Sequence, residues 1–446
     1  MHFTPHPYQQ DCIDYLLTEE QAAVLLDPGY GKTSIMLSII AAKKMQTMIV
    51  APVRVLYGVW RQEAAKWEQF RHLTFAIVHG TPKERMKALQ SGADILLVST
   101  DGIKCIEEQG FKPERLVIDE SSKFKNWTSK RTKAMRKVCI HAKSRYILTG
   151  TPCPQSLMDL FPQIFIVDHG QRLGKTITSY KSKYFLQGGF KGYEWILRKG
   201  AKEQIQEAIA DCCYRLDARD HLQLPDIHFN TVWLDLPDLK QYKELEEDMY
   251  LDLEGGGIAA TSSGSALAMC RQYCQGQVYE GDGFVKIHDE KMEALEELLD
   301  ELQGKPTLIA YQFRSDYTRF KERWPKMPAI NGDTKPAETL KLVEAWNRGE
   351  LSKLAVQPQA LSYGLNMQAG GNDLVWYGLT ANLETYLQLN ARLHRQGQKG
   401  QVRVHHLLCR KTVEEAMLES IEKKASLQEI LLNFLAERRK NERASY

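Results

Sequence analysis

The stretch Asp27-Pro28-Gly29-Tyr30-Gly31-Lys32-Thr33 decides how the rest of the chain is read. It follows the apolar run Ala22–Leu26 and precedes a helical pattern, so it occupies a strand-to-helix turn. Gly29 and Gly31 let the backbone approach an anion closely, and the ammonium of Lys32 and hydroxyl of Thr33 complete a cradle for a triphosphate and its Mg²⁺. Leu26 stands where a full phosphate-loop pattern has its first glycine.

Working outward, short apolar runs at Met48–Ala51, Ile95–Ser99, Leu116–Asp119 and Tyr146–Thr149 alternate with helical patterns through the first 150 residues. Nearly continuous apolar strands belong to parallel sheets covered on both faces, and such sheets bind ligands at their C-terminal edge. After residue 305 the pattern returns at Thr307–Tyr311, Ala329–Asn331, Leu354–Gln357, Leu374–Tyr377 and Val402–Leu408, without a second phosphate loop. The expected fold is therefore α/β with two lobes, residues 1–224 and 225–446. The first lobe binds the nucleotide and carries a basic extension at about 165–205; the second holds a mobile Gly/Ser-rich segment at about 253–265 and a C-terminal helix over Val413–Leu435 that packs on that lobe.

Val117-Ile118-Asp119-Glu120 ends another strand in two carboxylates. Asp119 there can hold Mg²⁺ and Glu120 can polarise the attacking water. Near the other end, Gln388-Leu389-Asn390-Ala391-Arg392-Leu393-His394-Arg395-Gln396-Gly397-Gln398 places Arg392 and Arg395 three apart on an expected helix, as a pair of arginine fingers.

With these motifs in place the chain, from Pro7 to about Glu415, resembles a Swi/Snf-type ATPase of helicase superfamily two, in the compact form of bacteriophage and bacterial members. The resemblance implies two tandem RecA-like lobes, each a mostly parallel sheet flanked by helices. It implies ATP and Mg²⁺ as cofactors, with Tyr8 and Gln9 reading the adenine, Asp27 through Thr33 around the phosphates, and Gly364 and Asn366 completing the nucleotide contacts. Ala51-Pro52 with Trp60, Glu63 and Trp67 is similar to a further family segment. Ser121-Ser122 replaces the commoner Ala-His after the Asp-Glu pair, and Ala391 replaces a glycine.

The net charge of +3 hides a local asymmetry: no acidic residue lies between Ser121 and Met158, where nine Lys/Arg gather. A second stretch, His169–Lys202, sets eight Lys/Arg against Glu194 and interleaves Tyr180, Tyr184, Phe185, Phe190, Tyr193 and Trp195. Lys125, Lys130, Arg131, Lys133 and Lys137, with Thr149 and Thr151 of Leu148-Thr149-Gly150-Thr151-Pro152, are the expected contacts to DNA phosphates. Double-stranded DNA is the expected partner and ATP-driven translocation on it, or its remodelling, the expected activity. A strand-separating DNA or RNA helicase and an ATP-switched DNA clamp are the alternatives.

No apolar run approaches the roughly 18 residues that cross a bilayer, and the N-terminus lacks a basic-then-apolar leader. A cytoplasmic protein is expected, in the bacterial host cytoplasm if phage-encoded. Nine cysteines without a Cys-x-x-Cys pair suit reduced thiols; Cys212, Cys213, Cys270, Cys274 and His221 are poorly spaced for zinc.

Overall fold

A computed structural model describes the chain apart from residues 189–193, 217–223, 254–255, 261, 362–364 and 445–446. Two compact units divide it: Met1–Leu222 with Lys424–Tyr446, and Gln223–Lys423. The residues just before the expected boundary between 224 and 225, 217–223, lie outside the described residues.

In the first unit the strands are β1 (Gln21–Val24), β2 (Thr47–Ala51), β3 (Phe75–Val78), β4 (Ile95–Ser99), β5 (Arg115–Asp119), β6 (Ser144–Leu148), β7 (Phe185–Gly188), β8 (Glu194–Leu197) and β9 (Cys213–Tyr214). Seven of them form one parallel sheet in the order β3-β4-β2-β5-β6-β1-β9, and β7 and β8 form a separate antiparallel hairpin. Every residue of β2, β4 and β6 is buried, which is why Met48–Ala51, Ile95–Val98 and Tyr146–Leu148 within them read as apolar runs. Neighbouring strands β5, β6 and β1 bring three loops together at one edge: Asp119-Glu120, Thr149–Pro152 and the glycine loop.

The second unit adds β10 (Ile227–Leu234), β11 (Tyr250–Leu253), β12 (Gly256–Ala259), β13 (Gln277–Glu280), β14 (Gly283–Lys286), β15 (Thr307–Ala310), β16 (Ala329–Ile330), β17 (Lys353–Val356), β18 (Asp373–Trp376) and β19 (Val402–Cys409). Its main sheet runs β10-β19-β18-β15-β17-β16, again parallel throughout. Ile309, Ala355, Val375 and Leu407 of this sheet pack against Leu295, Leu299 and Phe320 from helices. The two lobes are α/β, each a parallel sheet flanked by helices.

Where it is described, the Gly/Ser-rich stretch at about 253–265 contributes β12, paired antiparallel with β11, and the start of the Ser263–Cys274 helix. Ser262 caps that helix by accepting from the Ser265 N–H, so its serines serve a helix end. The C-terminal helix, Val413–Ala444, begins in the second unit, but from Lys424 onward it belongs to the first. There Leu427, Leu431 and Leu432 join the first unit's core, because the apolar stripe continues past the point where the second unit ends.

His406 on β19 is 2% exposed, stacked near the rings of Phe229 and Tyr386, with its Nε2 3.0 Å from the Tyr386 hydroxyl. Burial, with His405 alongside, pushes its pKa down from 6.5 to about 4. The folded chain thus keeps a neutral imidazole where the unfolded chain takes a proton. Stability from this group is present above the unfolded pKa and is lost as pH falls from about 6.5 to about 4, by up to roughly 3 kcal/mol. His406→Gln, which retains a partner for Tyr386, should melt with a smaller drop in Tm between pH 7 and 4.5 than the unaltered protein; equal drops would remove His406 as the cause.

Candidate active site

The glycine loop joins β1 to the Lys32–Ala42 helix. Gly31, the helix N-cap, sits at φ +71, and a Cβ there would lie 2.2 Å from the Gln9 side-chain nitrogen. Only glycine suits that conformation and that gap. Gln9 reaches the loop from the Pro7–Thr18 helix: its Nε2 donates to the Tyr30 carbonyl at 3.4 Å, and its Oε1 accepts from the His6 N–H at 2.9 Å. The Tyr8 ring meets the Tyr30 ring edge-on at 5.6 Å. The amide expected to read a base is therefore seated against the phosphate loop.

Lys32 turns back over the loop and donates to the carbonyls of Leu26 (2.7 Å) and Asp27 (3.1 Å). Desolvation lowers its pKa, and the nearby carboxylates of Glu120, Asp119 and Asp27 oppose that fall. Asp119 shows the converse: desolvation raises its pKa, while Lys32 and the Trp60 indole oppose the rise. Lys32, Asp119 and Glu120 are thus half-buried neighbours at the strand ends. Glu120 holds a left-handed backbone, φ 59 and ψ 61, uncommon for a residue with a side chain and typical of strained functional turns. The glycine-lined turn, the helix N-terminus, one ammonium, the Thr33 hydroxyl and two carboxylates fit a triphosphate with a divalent cation.

Several supports carried no role in the sequence reading. Arg215, immediately after β9, is 8% exposed and grips both Asp27 carboxylate oxygens at 3.1 and 3.0 Å while donating to the Leu25 carbonyl at 2.8 Å. This bidentate pair fixes the first residue of the phosphate loop. Gln163 accepts from the Ser121 hydroxyl at 2.7 Å and donates to the Pro152 carbonyl at 2.6 Å, tying the loop after β5 to the loop after β6. Trp60 is fully buried, yet its indole N–H donates to Asp119 Oδ2 at 3.1 Å. Glu63 accepts from both Trp67 (2.7 Å) and Ser34 (2.6 Å), which joins its helix to the one that follows the phosphate loop.

In the second unit, Gly364 lies outside the described residues, and Asn366 is exposed with its carbonyl accepting from Asn347 Nδ2 at 2.7 Å. Arg392 is buried and donates to the Leu365 carbonyl at 3.1 Å. The Leu383–Leu393 helix ends before Arg395, so the two arginines do not share a helical face as expected. Gly397 at φ +92 turns the chain there, and the Gln398 amide donates to the carbonyls of Gln368, Gly371 and Leu393 at 3.1, 3.1 and 3.3 Å. Arg395 is half-buried in that turn.

The expected DNA contacts divide. Lys130, Lys133 and Lys137 are exposed on the outer face of the Lys130–Cys139 helix, whose inner face buries Met135, Val138 and Cys139. Lys137 and Arg131 pair with Glu107 (2.6 Å) and Asp101 (3.3 Å). Lys130 and Lys133 carry no ion pair among the described residues, and Lys125 is half-buried. Thr149 and Thr151 are 0% and 3% exposed, the Thr149 hydroxyl accepting from the Thr151 N–H at 3.0 Å. The Thr149 hydroxyl thus shapes a buried turn.

The SNF2-related domain family matches residues 8–185, and the Helicase conserved C-terminal domain family matches residues 290–397. Protein p41 of Acyrthosiphon pisum secondary endosymbiont phage 1 is 31% identical over 457 residues, spanning 96% of this chain and 98% of its own length. The chain belongs to the SNF2-related ATPases of helicase superfamily two. More distant SNF2-related relatives include the CHD3-type chromatin-remodeling factor PICKLE of Arabidopsis thaliana, 24% identical over 96% of this chain. The ISWI chromatin-remodeling complex ATPase ISW1 of Saccharomyces cerevisiae is likewise 24% identical over 96% of this chain. The chain spans only 34% and 40% of those two proteins. The solved Sulfolobus solfataricus SWI2/SNF2 ATPase core in complex with double-stranded DNA aligns over 97% of this chain and 94% of its own, at 20% identity and a TM-score of 0.45. Among the described residues no helix is long and apolar enough to cross a membrane.

Proposed function

We propose that this SNF2-related ATPase hydrolyses ATP with Mg²⁺ and uses the reaction to move along, or remodel, double-stranded DNA. The observation that supports this most is the meeting of half-buried Lys32, Asp119 and Glu120 beside a glycine-lined loop. When bound, Mg²⁺ draws charge from the phosphate oxygens and so eases transfer of the terminal phosphoryl group. In this reading Lys32 leaves the carbonyls of Leu26 and Asp27 to hold phosphate oxygens, and Thr33 and Asp119 hold the cation. Gln9 meets the adenine edge, with Tyr8 beside it. Glu120 accepts a proton from the attacking water. Asn366, with Gly364, completes the nucleotide contacts, and Arg392 and Arg395 stabilise charge on the transferring group. Lys130 and Lys133 hold DNA phosphates without reading sequence.

The p41 relative comes from a phage, which supports the bacterial host cytoplasm as the place of action. Steady-state ATP turnover with no nucleic acid, duplex DNA, single-stranded DNA and RNA in parallel tests the reading. Duplex DNA should stimulate most, and the protein should displace the third strand of a triplex without separating a forked duplex. Stronger stimulation by RNA, or fork separation, would favour a helicase; no turnover on any of the four would favour a clamp.

A further inference from the structure

The β7–β8 hairpin is a two-stranded sheet of its own, not hydrogen-bonded into the parallel sheet. Its register pairs Phe185 with Leu197, Leu186 with Ile196 and Gln187 with Trp195. Alternation therefore sends Phe185 and Leu197 to one face, where Phe185 is 2% exposed and both join the first unit's core. It sends Leu186 and Ile196 to the other face, 49% and 51% exposed as a cross-strand pair. Trp195 is 38% exposed, with the Lys181 ammonium 4.5 Å above its ring. Two of the twelve exposed large hydrophobic side chains among the described residues, Leu186 and Ile196, thus form one cross-strand pair on the free face, while Trp195, opposite Gln187, stands on the side of Phe185 and Leu197.

The surroundings of this apolar patch are cationic. Lys175, Lys181 and Lys183 precede the hairpin and Arg198, Lys199 and Lys202 follow it, and none makes an ion pair among the described residues. Arg198 is held in place, its Nε donating to the Phe185 carbonyl at 3.0 Å. The aromatics that the sequence interleaves with these charges have mostly turned inward: Tyr180, Tyr184 and Phe185 are 0%, 1% and 2% exposed. What remains outside is a two-stranded ribbon with an aliphatic pair on its free face and positive charge on both flanks. Predominantly positive charge flanking a narrow apolar ribbon, six Lys/Arg against the single Glu194 of β8, complements a nucleic-acid groove, in which phosphate walls border sugar and base edges. Apolar side chains on minor-groove proteins use that geometry.

We propose that the β7–β8 hairpin is a separate duplex-DNA contact of this chain, with Lys181, Lys183 and Lys199 against phosphates and the Leu186–Ile196 pair against the walls of the minor groove. This rests on the reading of the chain as a duplex-dependent ATPase. The contact is independent of base sequence. It gives the first unit a hold on DNA besides the Lys130–Cys139 helix, so the duplex stays bound while the nucleotide site turns over.

The test uses the full-length protein, an anisotropy titration of a labelled duplex carrying aminopurine across a salt series, and ATP turnover with and without that duplex. Lys181→Ala/Lys183→Ala/Lys199→Ala should reduce the slope of log K against log salt by about 0.9 for each phosphate that the protein no longer neutralises. Leu186→Ser/Ile196→Ser, at exposed positions that the core does not use, should weaken binding by about tenfold with the slope unchanged and lower the aminopurine fluorescence of the complex. Both variants should keep the DNA-free turnover of the unaltered protein. A normal salt slope in the lysine variant, or normal affinity in the Leu186/Ile196 variant, overturns the proposal and leaves the ribbon to a protein partner. An unaltered protein that neither binds duplex nor is stimulated by it removes the reading of the whole chain, and the hairpin's role on DNA with it. Variants indistinguishable from a stimulated parent overturn the hairpin alone.

Discussion

Glu120→Gln is expected to bind ATP with near-normal affinity and to turn it over at least about 10²-fold more slowly, with or without DNA, because a positioned general base contributes about that much or more. The amide keeps the volume and the hydrogen-bonding reach of the carboxylate but cannot take the proton from water. It also keeps the backbone demand at this position, where φ 59 makes any residue with a Cβ equally strained, so the loss reads chemistry and not folding. Lys32→Ala behaves differently. It removes the ammonium that neighbours Asp119 and Glu120, so it should lose triphosphate affinity together with rate. Measured by nucleotide fluorescence and steady-state turnover on the same preparations, the pair separates cradle from chemistry. A Glu120→Gln protein with unimpaired turnover would move the base to another residue.

What could be read from residues alone followed from how far apart interacting groups lie in the chain. Glycine and lysine in the phosphate loop act within five positions of one another, so their spacing is visible as a string. Arg215 holds Asp27 across 188 positions, and only the pairing of β9 with β1 brings them together. No local pattern marks such an arginine. Gln163 is similar, since its links to Ser121 and Pro152 exist because β5 and β6 are neighbours.

Strands show the same division. Those buried on both faces announced themselves as apolar runs; β3, an edge strand with three of its four residues half-buried, is just as apolar in Phe75-Ala76-Ile77-Val78 and was legible on the same ground. The β11–β12 hairpin was hidden by Gly256 and Gly257, whose composition reads as linker although their backbones complete a ladder. Helix ends were less legible than helix bodies. Leu383–Leu393 was readable from its apolar period, but the stop before Arg395 depends on a glycine at positive φ and on a glutamine amide that collects three carbonyls.

That stop bears on the second large effect, expected for Arg395→Ala. A guanidinium on a helix body would be aimed by the helix; Arg395 is aimed instead by a turn. Its N–H donates to the Leu393 carbonyl at 3.2 Å, and its own carbonyl accepts from the Gln398 N–H at 3.1 Å. Both bonds belong to the backbone, so alanine leaves the turn intact and removes only the charged fork. If that fork serves the transferring phosphoryl group, its contribution appears in the transition state and not in the ground state. ATP affinity and DNA binding should stay near those of the unaltered protein while turnover falls by ~10³-fold, the scale of arginine fingers in phosphoryl transfer, and triplex displacement falls with it. Arg392→Ala should also lose rate but with a loss of stability, because Arg392 is buried and bonded to Leu365. Arg395→Lys should recover only part of the rate, since an ammonium offers a point charge without the planar pair of donors. Near-normal turnover in Arg395→Ala, or a loss of ATP affinity equal to the loss of rate, would rule out the finger and return Arg395 to the support of its own turn.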